Sequence, residues 1–307
     1  KKINNFMNKE KSIWKNAFSG LSGGFICTII CAPLDIAKVR QQVQGSLKIH
    51  SYNGILQTLN KIFEIEGFKG LFKGMGTALM NVPLFWGIYW ASYEEMKYIL
   101  KDSTLSPTFQ TIISATIAGG FADTITNPFW VVRTRIQTLI FHPESSFQTI
   151  STFSMFQHIY KNEGVFAFYK GLSASYLGLT HVAIQFPLYE NLKEYYKKHR
   201  KDEELTLLDY IVSSSVSKFI ASTLTYPHEV LRVRLQDHRN LTNNNTLQYS
   251  KSSLSLFKLV KNIIHEEGVK ALWSGFRLNM IRILPSTTTH FVTYEYVSRH
   301  MKNYESS

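Results

Sequence analysis

The chain has 307 residues, 44% of them apolar and 14% aromatic, and carries a formal net charge of +12 at pH 7. That excess suits an anionic partner: acidic lipid, nucleic acid or a negatively charged solute. A nucleic-acid-binding protein would gather its charge on soluble helices or arms, whereas here uncharged spans carry the pattern. An enzyme is also disfavoured. No paired carboxylates, nucleophile beside a base, Cys/His metal spacing or glycine-rich phosphate loop stands out, and the histidines are scattered.

The chain opens on KKINNFMNKEKSIWK, which is basic but has no apolar core, so no cleavable signal is read there. Residues 17–34, 74–93 and 171–189 hold no charge at all. Three further stretches, about 108–132, 208–228 and 278–294, hold only isolated ionisable groups, among them Asp123, Lys218 and Arg282. A helix of about 20 mostly apolar residues crosses a bilayer. Six spans are therefore predicted, and the chain reads as an all-α integral membrane protein forming a single membrane domain. Their polar interruptions predict helix faces that line a wet interior. Cys27 and Cys31 stand one helical turn apart without other metal ligands, which suits packing.

One unit occurs three times, over about 12–100, 106–198 and 205–303. A proline motif marks each copy: APLDIAKVRQQ with Pro33, NPFWVVRTRIQ with Pro128, YPHEVLRVRLQ with Pro227. Next come EGFKGLFKG from Glu66, EGVFAFYKG from Glu163 and EGVKALWSG from Glu267. Each copy closes on an aromatic-acid motif: YEEMK from Tyr93, YENLK from Tyr189, YEYVS from Tyr294. Each unit reads as two spanning helices joined by a linker that holds a short amphipathic helix, as in 53–65. An interior proline removes a backbone donor and kinks its helix. Three such kinks would bring the residues after each proline together.

These motifs resemble the mitochondrial carrier family over essentially the whole chain. Its triplicated P-x-[DE]-x-x-[KR] signature, with a glutamine four residues after the basic position, falls here on Asp35, Lys38 and Gln42, on Trp130, Arg133 and Gln137, and on Glu229, Arg232 and Gln236. The resemblance implies a six-helix barrel with threefold pseudosymmetry in the mitochondrial inner membrane, and short amphipathic helices on the matrix side. It also implies alternating access between cytosol and matrix through two salt-bridge rings that break in turn. In the matrix ring Asp35 should pair with Arg133 and Glu229 with Lys38. The acid that would meet Arg232 is replaced by Trp130, either a deliberate weakening of the gate or a well-packed aromatic. In the cytosolic ring Glu94 should pair with Lys193 and Glu295 with Lys97. Glu190 is left over, because Ser298 stands where its partner would be.

The pattern P-[FIL]-W-V-V-[KR]-T-R resembles the branch of that family carrying NAD, pyrimidine nucleotides, FAD and folates. The stretches 181–190 and 213–232 look most like NAD carriers, while WGIYW, 86–90, looks closer to folate and FAD carriers. Lys218 lies eleven residues before Glu229 on the same helix face, about 16 Å above the gate. Arg282 lies thirteen residues before Glu295, roughly 20 Å from the cytosolic ring. Contact points of the family map to Asn81 and Val82, Leu177 and Gly178, and Arg282 and Ile283. Arg282 and Lys218 would hold phosphate. Gly178 would leave room for a flat ring, Trp86 would stack on a base, and His181 and Gln185 would add hydrogen bonds. His181 has the alternative of a simple packed residue, and Asp123 that of a resting partner for Lys218. No cofactor is expected. Lys73-Gly74 and Lys170-Gly171 open even-numbered helices, where the resemblance implies cardiolipin; Ser274 alters the third such site. The expected state is a monomer.

Overall fold

The computed structural model describes residues 2–45, 52, 54–141, 151–199, 205–237 and 256–283, with 285, 286, 288, 289, 292 and 293; side chains are described from residue 22, except at 207 and 211. Among these residues there is no strand. In chain order the helices are α1 (Lys2–Val43), α2 (Ile55–Gly70), α3 (Met75–Ile99), α4 (Pro107–Thr138), α5 (Thr152–Glu163), α6 (Leu172–Gly178), α7 (Thr180–His199), α8 (Leu207–Thr225), α9 (Pro227–Gln236), α10 (Leu256–Glu267) and α11 (276–283). The first helix of each unit is α1, α4 or the pair α8 and α9. The linker helix is α2, α5 or α10, and the last is α3, the pair α6 and α7, or α11.

On α4 the large apolar residues Ile117, Phe121 and Ile125 recur every four residues and are exposed, while Ser114, Ala115, Ala118 and Ala122 are buried. Large side chains thus face out and small or polar ones face in, the reverse of a helix in a water-soluble core. Phe25 and Ile26 on α1, and Phe219 and Leu224 on α8, continue that outer apolar surface. Among the described residues only Ser22–Val43, at mean hydropathy 1.5, is long and apolar enough to span a membrane by length and composition. Six such spans were predicted. The sixth, about 278–294, lies partly outside the described residues; of the others, two are broken, at Leu179 between α6 and α7 and at Tyr226 between α8 and α9, and inward Ser, Thr and Gly residues lower the hydropathy of the rest.

The third proline acts more strongly than the other two. α1 and α4 run through Pro33 and Pro128, whereas Pro227 starts a new helix. Pro227 cannot donate to Thr223 four residues earlier. That carbonyl accepts from Trp273 Nε1 instead, at 2.9 Å. The Thr225 carbonyl accepts from His228 Nδ1, which fixes the proton on that nitrogen.

The linker helices bury one face against the ends of the proline helices. Ile62 of α2 packs with Ile36 and Leu278, Met155 and Ile159 of α5 with Val132 and Ile136, and Leu259 and Ile263 of α10 with Leu231. The core therefore lies at the proline-motif end. Two further sets of contacts close the three units on one another there. Gly74, Gly171 and Gly275 are left-handed (φ +79°, +80° and +77°), and a Cβ on them would lie 3.3, 2.9 and 3.1 Å from the carbonyls of Arg133, Arg232 and Lys38. Each glycine thus presses on the next unit, the third on the first.

Below this runs an outer ring of buried ion pairs. Arg40 binds Glu66, which Lys73 also binds; Arg135 binds Glu163, which Lys170 also binds at 2.9 Å; Arg234 binds Glu267 at 2.5 and 2.8 Å. Each arginine also donates Nε to a backbone carbonyl of the next unit: Arg40 to Gln137 (3.1 Å), Arg135 to Gln236 (3.1 Å), Arg234 to Gln42 (2.9 Å). Burial pushes the Glu163 carboxyl up, but hydrogen bonds and charge from Arg135 and Lys170 outweigh it and hold the group at about 2. Glu66 is held below its ordinary value by Arg40 and Lys73 in the same way, against the same burial.

Candidate functional site

The residues that follow the three prolines form an inner ring. Arg133 Nη2 meets Asp35 Oδ2 at 2.7 Å, and Lys38 meets Glu229. Lys38 also donates to Asn279 Oδ1 at 2.8 Å. The third position differs in kind. Trp130 faces two guanidiniums, with Arg232 at 4.8 Å and Arg133 at 5.5 Å from its ring centroid. Both lie within cation–π range, which is worth about 0.5 to 2 kcal/mol. The indole therefore joins Arg232 to the ring by its face. Gln42 Nε2 donates to the Tyr226 hydroxyl at 2.9 Å, and that hydroxyl donates to the Ser274 carbonyl at 3.0 Å. Gln236 Oε1 accepts from Thr134 at 2.8 Å, while the Gln137 side chain packs under Gly74.

Above the ring lies a cavity of about 280 Å³. Gly178, His181, Lys218, Arg282 and Ile283 line it, with Glu229 at its floor. Arg282 reaches past the cavity into the ring, where its Nε lies 2.5 Å from Asp35 Oδ1. Asp35 thus joins two arginines from two other units. Lys218 has no carboxylate partner among the described residues, so its ammonium is available to a solute.

Two expectations need correction. Asp123 lies 3.6 Å from Arg232 and does not pair with Lys218, because the ring arginine that lost its acid is nearer. The space over Gly178 is not open: the His228 imidazole fills it, and an added Cβ would lie 2.6 Å from Nε2. Lys193 meets Glu190 of its own helix at 3.3 Å rather than Glu94, in keeping with rings that are expected to break in turn. Lys73 and Lys170, beside Gly74 and Gly171, each bind a glutamate of their own unit. Lys97 lies 5.8 Å from the Tyr93 ring centroid, and its expected partner Glu295 lies outside the described residues, as does Ser298.

Of the other expected contact residues, Asn81, Val82, Trp86, Leu177 and Gln185 do not line the cavity. Asn81 is wholly buried with neither amide atom hydrogen-bonded, and Val82 and Gln185 are partly buried. Leu177 is exposed, and Trp86 stacks on Trp90 with ring centroids 6.4 Å apart. His181 Nδ1 lies 3.2 Å from Thr225 Oγ1, so it both lines the cavity and braces α7 against α8. Sequence reasoning missed His228 and Asn279. The backbone tightens after Pro227, so the Glu229 amide bonds Tyr226 and leaves the Thr225 carbonyl to His228; Asn279 sits one turn after Gly275, on the face that meets Lys38.

An all-helical bundle of three like units around a cationic cavity, closed at one end by a charged ring, defines a solute-carrier architecture. The profile of the family described as mitochondrial carrier protein matches residues 9–104, 105–200 and 203–305, and the chain belongs to that family. Among its relatives, the mitochondrial nicotinamide adenine dinucleotide transporter 1 of Saccharomyces cerevisiae is 36% identical over 94% of this chain and 77% of its own. The chloroplastic nicotinamide adenine dinucleotide transporter 1 of Arabidopsis thaliana is 34% identical over 94% and 92%. The mitochondrial transporter 2 of the same plant is 33% identical over 94% and 80%.

Proposed function

We propose that the protein is a multi-pass carrier of the mitochondrial inner membrane that moves a nucleotide-type anion, with NAD+ the best match, by exchange with a nucleotide such as AMP or by uniport. The observation that carries this reading is the pair of cations, Lys218 and Arg282, in a cavity directly above the joined ring. Arg282 supplies a fork suited to phosphate, and Lys218 a second positive charge. The relatives named as nicotinamide adenine dinucleotide transporters support the choice of solute. The inner ring acts as the matrix gate, closed in this state. Glu94, Lys97, Glu190 and Lys193 belong to the opposite gate, open here, with no bridge between helices among the described residues. Entry of an anion draws Arg282 off Asp35, which removes the link that Arg282 makes between the third unit and the first and loosens the gate.

Reconstitution in liposomes with labelled NAD, AMP, UTP, FAD and folate tests this. NAD uptake that accelerates with AMP inside is the expected result. Uptake of FAD, folate or UTP alone overturns the choice of NAD, and uptake of none overturns the carrier reading.

A further inference from the structure

Arg232 stands apart from the other basic residues of its ring. Lys38 and Arg133 each reach a ring carboxylate of another unit, whereas Arg232 reaches none. Its guanidinium lies over Trp130 and 3.6 Å from Asp123 Oδ1, and its Nη2 is buried without a hydrogen-bond partner. A guanidinium offers five N–H groups in a fixed fork that matches an oxyanion. An indole face and one long carboxylate contact leave most of that fork unused. The position also fits. His228, Glu229 and Arg232 share one face of α9, and the first two line the cavity, so Arg232 extends the lined face by one turn.

Asp123 is the complement. Its side chain is only 11% exposed, and it lies two turns before Trp130 on α4. We propose that Arg232 is a further oxyanion-binding residue of this cavity, held in the empty protein by Asp123, an internal counter-ion that a phosphate or pyrophosphate group displaces. Trp130 makes this possible. An acid at that position would hold the fork in the ring, whereas an indole holds the cation by its face and offers no acceptor oxygen. His228 covers the approach, and a phosphate reaches Arg232 as that ring turns aside from Gly178. The choice of a nucleotide phosphate as ligand rests on the carrier reading above.

The test measures binding of pyrophosphate and of AMP to the purified protein in detergent, from the rise in melting temperature across a concentration series. Arg232→Gln should weaken both by about tenfold, the scale of one lost charge-assisted hydrogen bond. Trp130→Asp should weaken them similarly, because the new acid captures Arg232. Asp123→Asn should tighten both, and the gain should vanish in the double variant with Arg232→Gln. Melting without ligand verifies that each variant folds. If Asp123→Asn weakens binding as much as Arg232→Gln, the pair is a structural prop and the proposal fails. It fails equally if none of the three substitutions alters pyrophosphate affinity. Liposome uptake separates the two readings. Arg232-dependent pyrophosphate binding without uptake of any nucleotide sinks the carrier and keeps the site. NAD uptake with Arg232-independent binding does the reverse.

Discussion

Two rings lie at the same end of this protein and differ in how strictly they repeat. The outer ring, Arg40–Glu66, Arg135–Glu163 and Arg234–Glu267, is complete in all three units, down to the Nε bond into the next one. The inner ring keeps two carboxylate bridges and replaces the third with an indole. The outer ring holds linkers to helices and has no reason to distinguish one unit from another. The inner ring borders the cavity, where an asymmetric solute makes different demands at each position. Symmetry survives where the units only hold each other and fails where they border the cavity.

Breaking the outer ring should have the largest effect. Arg135→Ala leaves the half-buried Glu163 with Lys170 alone and should cost about 1.5 to 3 kcal/mol, read as lowered thermal stability in detergent. Acid should attack the same ring without mutation. Glu163 has a folded pKa depressed from its ordinary 4.5 to about 2, so its contribution is full above that ordinary value and is lost as pH falls towards 2. A Glu163→Gln variant should therefore show a flatter loss of melting temperature across that window. Gly178→Ala drives a methyl into His228 and should cost about 1 to 3 kcal/mol, with His228→Ala restoring most of it in the double variant. In the inner ring, Trp130→Leu should lose the cation–π link, about 0.5 to 2 kcal/mol, while Trp130→Asp should slow transport in liposomes by steadying the closed gate. Unchanged rates for Trp130→Asp would show that the indole is only packing. The smallest effect is expected for Lys193→Gln, whose half-exposed pair within one helix is worth about 0.3 to 0.5 kcal/mol, near the limit of a melting experiment.

Much of this was legible in the sequence, because triplication supplies its own control. Asp35, Lys38, Arg133 and Glu229 could be assigned to a ring by comparing three copies of one motif. Lys218 and Arg282 could be placed by counting turns along single helices, whereas Gly178 came from the family resemblance alone. What stayed hidden depends on neighbours across helices, which counting turns along one helix does not reveal. Asp123 had two cations within plausible reach, and only packing shows that Arg232 is the nearer. The use of Arg282 against Asp35 was invisible for the same reason, since it joins α11 to α1. His228 was read as part of a motif variable at that position, and its role follows from backbone geometry around Pro227.

The contacts of Gly74, Gly171 and Gly275 with Arg133, Arg232 and Lys38 have a bearing on how many copies such a chain needs. Each contact has a direction, from the glycine of one unit to the backbone of the next. Two units joined end to end would satisfy one contact and leave a bare glycine at one side and an uncovered helix end at the other. The third copy satisfies its own need by turning back to the first. A chain of two copies would leave that joint open, whereas in three copies each of these glycines meets the backbone of the next unit.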